Sequence, residues 1–114
     1  MAPRNMLTSA PPFAVERAAR TLGANLKTAR LRRNLSAAEM ASRLGVDRHV
    51  IADAEKGKLT TGVSVYIGML WALGLLEQLD PVADPALDSE GLTLARAGER
   101  QRARKGMGGM DNDF

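Results

Sequence analysis

The chain has 114 residues, a net charge of +3 and no cysteine, which suggests one domain with tails and excludes disulfides, thiolate zinc sites and cysteine nucleophiles. No apolar run approaches the roughly 20 residues a membrane-spanning helix needs, and "MAPRNMLTSAPPF" lacks the apolar block of a secretory signal, so a cytoplasmic protein is expected. Charge is unevenly spread: residues 1–46 hold eight Lys/Arg and two Asp/Glu, residues 47–94 three and eight, and residues 95–114 five and three. A basic front suits a polyanion and an acidic middle some other partner, though a well-solvated surface accounts for the same pattern.

Residues 1–12, with Pro3, Pro11 and Pro12, read as a flexible arm before a helical domain at 13–80. A helix is expected from about Ala14 to Arg33, weakened in its middle by Gly23. Leu22, Leu26 and Ala29 form its apolar stripe, and arginines and Lys27 fill much of the rest. Ser36 and Glu39 have the spacing of a capping box, in which each side chain takes the other's backbone N–H. They open a short helix that ends near Leu44 and turns at Gly45. Asp47 is placed to cap a third helix, which runs to about Lys56 and stops at Gly57. "VSVYIGMLWALGLLEQL" continues helically, broken near Gly74 and ended by Pro81. A strand at "VSVYI" has no second strand to pair with. Residues 81–114 comprise an acidic connector, a possible helix at 88–105 capped by Asp88, and a Gly-rich tail read as disordered. The fold class is all-α, a compact four- to five-helix bundle with flexible tails, whose core must be aliphatic because only Phe13, Tyr66, Trp71 and Phe114 are aromatic.

"LGANLKTARLRRNLSAAEMASRLGVDRHVIADAEKG" resembles the helix-turn-helix of the Xre/Cro family of phage-repressor-like proteins. The resemblance covers about half the chain and rests on Ala41, Gly45 and the apolar Met40, Leu44, Val46, Ile51 and Ala54. Small Ala41 suits a close helix crossing, and Gly45 falls where the turn needs it. In that family the second helix of the pair enters the DNA major groove. The resemblance therefore implies that Arg48, His49, Ala52, Asp53 and Lys56 face DNA, with Lys58, Arg33 and Arg30 at phosphates. Arg48 is the candidate for a guanine, through its two-pronged fork, with a phosphate contact as the alternative. Two positions depart from the family pattern: Ala37 stands where a phosphate-holding Gln is common, and Asp53 where a basic or polar residue is. Asp53 either accepts from a cytosine amino group or weakens the reader. Glu55, late in the helix, pairs internally with an arginine on this reading.

The fold implies a homodimer on a palindromic site. Leu75, Leu76 and Leu79 are the expected contact, unless that apolar surface is all intramolecular. Residues 52–95, from "ADAEKGK" to "DPALDSEGLTLA", are similar to small HipB-type antitoxins, more loosely over 80–95, which implies an autorepressor that also neutralises a HipA-like serine/threonine kinase toxin. On that reading Asp80, Asp84, Asp88 and Glu90 would meet a basic partner patch, or simply solvate a linker. The basic stretch "ARAGERQRARKG" either extends DNA contact or folds on a partner. The competing functions are a stand-alone repressor and a protein-interaction module with a degenerate reader. One histidine, no cysteine and no Gly-rich phosphate loop leave no nucleophile–base pair, so no enzyme, metal or cofactor is expected.

Overall fold

The computed structural model describes residues 5–106. Its helices are α1 (Met6–Ser9), α2 (Phe13–Arg32), α3 (Ala37–Leu44), α4 (Arg48–Glu55), α5 (Val63–Ala72) and α6 (Ser89–Gly106), with short 3₁₀ turns at Leu76–Leu79 and Pro85–Leu87. No strand occurs among the described residues, and "VSVYI" opens α5. The Gly-rich tail beyond Gly106 lies outside the described residues, as do the first four residues of the arm. The rest of the arm holds the single turn α1, started by Asn5, whose side chain accepts the Leu7 N–H at 3.0 Å. The chain divides into two compact units, one up to Glu77 and one from Gln78.

The first unit packs α2, α3, α4 and α5 around Leu26, Met40, Ala41, Ile51, Ala54, Met69, Leu70 and Leu73. This core is aliphatic, as the composition requires, and Phe13 and Trp71 stay exposed. Burying a side chain the size of Met40 or Ile51 contributes about 1.5–3 kcal/mol. α2 does not bury the expected stripe. Its buried residues are Gly23, Leu26 and Arg30, while Leu22 is exposed and Ala29 half-buried. The cause is the closeness of α4. A Cβ at Gly23 would lie 2.5 Å from the Ala54 carbonyl oxygen and 2.6 Å from that of Glu55. The contact is reciprocal, because a Cβ at Gly57 would lie 2.5 Å from the Ala19 carbonyl. Gly23 is therefore a crossing point of two backbones, and the cost of glycine in a helix is offset by that packing.

The capping box forms as expected: the Glu39 N–H donates to Ser36 Oγ at 3.0 Å, and the Ser36 N–H to Glu39 Oε1 at 3.2 Å. Hydrogen bonding to the carboxylate, from the Ser36 backbone N–H foremost and then from the Ser36 hydroxyl, holds the Glu39 carboxyl below its ordinary pKa. α3 ends in a left-handed Gly45 (φ +68°, ψ +34°), and the Val46 N–H returns to the Ala41 carbonyl at 3.0 Å. Asp47 occupies the cap position of α4, but its carboxylate accepts no N–H there. The expected side-chain cap is thus replaced by backbone geometry alone.

In the second unit two acids cap their own turns. Asp84 Oδ1 accepts the Ala86 N–H at 2.9 Å, and Asp88 Oδ1 the Gly91 N–H at 3.0 Å, the latter starting α6 as expected.

Candidate nucleic-acid interface

α4 is short, and the 3.6-residue period decides what it offers. Ile51 and Ala54 point into the core and are fully buried. Arg48, His49, Ala52 and Lys56 then share a wedge of roughly 100° on the opposite side. Arg48, His49 and Lys56 are exposed and Ala52 half-buried. Asp53 lies at the edge of that wedge, half-buried, with its carboxylate 3.6 Å from Lys58 Nζ.

The loop after α4 holds Lys58 in place. The Lys58 N–H donates to the Asp53 carbonyl at 3.1 Å, and the Tyr66 hydroxyl donates to the Lys58 carbonyl at 3.1 Å. Burial raises the Tyr66 pKa, so the hydroxyl keeps its proton for this bond at neutral pH. Asp53 is accordingly not a bare acid on the outer face. Its charge is offset by a lysine that the backbone delivers to it, which reduces the repulsion a phosphate would meet.

Arg30 does not stand where a phosphate contact requires. It is buried, with Nε 2.7 Å from Glu55 Oε2, Nη2 2.9 Å from Glu55 Oε1, and Nη1 2.7 Å from the Leu35 carbonyl. The hydrogen bond to Glu55 raises the Arg30 pKa against the opposing effect of burial. This guanidinium is buried under α4 with three of its five N–H donors spent on Glu55 and Leu35, so it is committed to the interior. The internal partner expected for Glu55 is this residue. Arg33 remains exposed at the end of α2, with Nη1 donating to the Ala29 carbonyl at 2.9 Å.

The residue of α2 that joins the outer cations is instead Arg20. With Glu16, it lines a cleft of about 410 Å³ that also takes in Lys56, Gly57 and Lys58. The sequence signal for Arg20 is its place one helical turn before Gly23, on a helix that α4 crosses there. Without the crossing, it was one arginine among several. Ala37, at the start of α3, is half-buried and carries no polar group to hold a phosphate.

A family model described as "Helix-turn-helix domain" matches residues 21–81. No curated protein matches the chain, and no solved structure does. The matched segment starts just after Arg20, includes α3, the Gly45 turn and α4, and runs through α5. No helix of the described residues is long and apolar enough to cross a membrane.

Proposed function

Because the chain belongs to the helix-turn-helix domain family, an Xre-like family of DNA-binding regulators, we propose that it is a sequence-specific repressor acting as a homodimer. The carrying observation is the wedge of Arg48, His49, Ala52 and Lys56 presented by a helix whose opposite face is fixed in the core. Arg48 sits in the first turn of α4, where this docking mode brings side chains to base edges. Its guanidinium reads a guanine in this account, and His49 lies beside it. Lys56, Lys58, Arg20 and Arg33 take phosphates, which fix register without reading sequence. Selection from a random duplex pool tests the reading. It should enrich a palindrome with half-sites about 10 base pairs apart; a pool that stays unenriched contradicts it.

The second copy is proposed to seat on α5. Val63, Ile67 and Trp71, spaced i, i+4 and i+8, are 70, 39 and 62% exposed. Of the leucines named from sequence, Leu76 is exposed and Leu75 and Leu79 are half-buried. The larger open apolar area is therefore one helix earlier than the leucines. One α4 covers only a half-site, so reading a palindrome requires two copies.

The narrower form of this reading is an antitoxin that also holds a HipA-like serine/threonine kinase inactive. Its support is the resemblance across residues 52–95 and the exposed carboxylates Asp80 and Glu90, since Asp84 and Asp88 already accept from their own turns. Coexpression with a kinase encoded beside this gene decides it. Restored growth supports the antitoxin role, and persistent toxicity leaves a stand-alone repressor.

A further inference from the structure

α6 buries none of its residues, so packing does not explain its composition. Arg96, Arg100 and Arg104 are all exposed. At i, i+4 and i+8 they form one stripe, about 6 Å apart along the axis. Like charges at this spacing repel and destabilise a helix. The ion pairs among the described residues are Arg30–Glu55 and Lys58–Asp53, so none of the three arginines is neutralised there. The helix dipole accounts for cations in the last turn, where Arg104 and Lys105 stand. It does not account for Arg96 and Arg100, which lie before that turn. Glu90 is in the first turn, at the far end from the arginines; Glu99, three residues after Arg96 and so its helical neighbour, makes no ion pair with it among the described residues and lies about 100° round from Arg100.

We propose that α6 is a second nucleic-acid-binding surface, which contacts phosphates and reads no bases. The stripe spans about 12 Å, comparable with three or four phosphates of one strand at about 3.4 Å of axial rise each. All three residues are arginine, whose planar fork matches phosphate oxygens two at a time. A polyanion relieves the repulsion along the stripe, and regular spacing suits a regular backbone better than the scattered carboxylates of a protein. The proposal goes beyond recognition by α4 and does not depend on it.

The experiment uses the full chain on a labelled duplex of random sequence in a salt series, beside duplex from upstream of the gene. In the triple variant Arg96→Gln/Arg100→Gln/Arg104→Gln, the slope of log K against log salt should become shallower by about 2 to 3, since each neutralised phosphate contributes roughly 0.9 to it. The corresponding triple Lys variant should keep the slope, which separates charge from helix structure, and circular dichroism should show α6 retained in both. An unchanged slope in the Gln variant overturns the proposal, and loss of an acidic protein partner with that unchanged slope reassigns the stripe to protein. A changed slope without preference for the upstream DNA supports α6 while contradicting the reading by α4. Preference for that DNA with an unchanged slope does the reverse.

Discussion

Arg30 and Glu55 are joined by two hydrogen bonds, at 2.7 and 2.9 Å, and both side chains are at least nine-tenths buried. The pair links the C-terminal end of α2 to that of α4, and the third Arg30 bond carries the link to the Leu35 carbonyl ahead of α3. The helix that faces outward with Arg48 and Lys56 is thus held from behind by an ion pair.

Removing one partner leaves the other charge buried. Glu55→Ala is expected to destabilise the first unit by about 3 kcal/mol, the usual cost of breaking a buried pair. The double variant Arg30→Met/Glu55→Leu should recover most of that loss, because apolar replacement of both partners is often neutral. Urea unfolding of the unsubstituted chain, Arg30→Met, Glu55→Leu and their double variant measures the coupling in a double-mutant cycle. Additive effects would show that the pair is not coupled.

Two glycine substitutions should act in opposite directions. Gly23→Ala gains about 1 kcal/mol of helix propensity, but its Cβ meets backbone at 2.5 Å, so the melting temperature of the first unit should fall. Gly98→Ala, with nothing within 4 Å of its Cβ, should only gain, and amide exchange in α6 should slow. A stabilised Gly23→Ala chain would mean that the α2–α4 crossing is looser than described.

Acid should loosen the start of α3. The folded Glu39 pKa lies below its ordinary value because hydrogen bonds to Ser36 favour the carboxylate. A depressed folded pKa contributes stability that is complete above the unfolded value and lost as pH falls through the folded one. Protection of the α3 amides should therefore decline below the usual carboxylate range. Glu39→Gln should remove that pH dependence and weaken the cap at neutral pH. The same acid-side decline in the Gln chain would assign it to another group.

Trp71 is the single tryptophan of the chain and is 62% exposed on α5. If a second copy seats there, its emission should shift to the blue as concentration rises, in step with dimer formation in sedimentation. Trp71→Ser should keep the chain monomeric. Dimerisation with unchanged emission would place the contact elsewhere, with the Leu75, Leu76 and Leu79 segment next to test.

Much of this fold was legible because it depends on local chemistry. The Ser36–Glu39 box, the Gly45 turn and the Asp88 cap are each set by residues within a few positions of one another. What the sequence hid was long-range. Arg30 looked like one more cation of α2, yet it shares a face with Gly23 and Leu26 at i, i+3 and i+7, and that face is buried. Gly23 looked like a flaw until α4 lay across it. On α5 the apolar residues run almost all round, so periodicity did not reveal that Trp71 faces out and Met69 in. The Asp53–Lys58 pair, by contrast, is local: left-handed Gly57 (φ +73°) ends α4 and turns the Lys58 N–H back onto the Asp53 carbonyl, as the stop at Gly57 implies.

For base reading, Arg48→Ala should cost about 1–3 kcal/mol and relax preference at one base pair. Lys56→Ala should weaken all duplexes alike and make the salt slope shallower by about 1. Equal losses on operator and scrambled DNA in the Arg48 variant would move that side chain to a phosphate.

Sequence-specific binding is best measured by fluorescence anisotropy of the full chain on DNA from immediately upstream of its gene, with scrambled competitor and a salt series. Salt-dependent binding is expected that scrambled DNA fails to displace and that Arg48→Ala makes displaceable. Binding no tighter than to scrambled duplex would contradict it, leaving Ala37 and Asp53 as marks of a helix pair turned to protein partners.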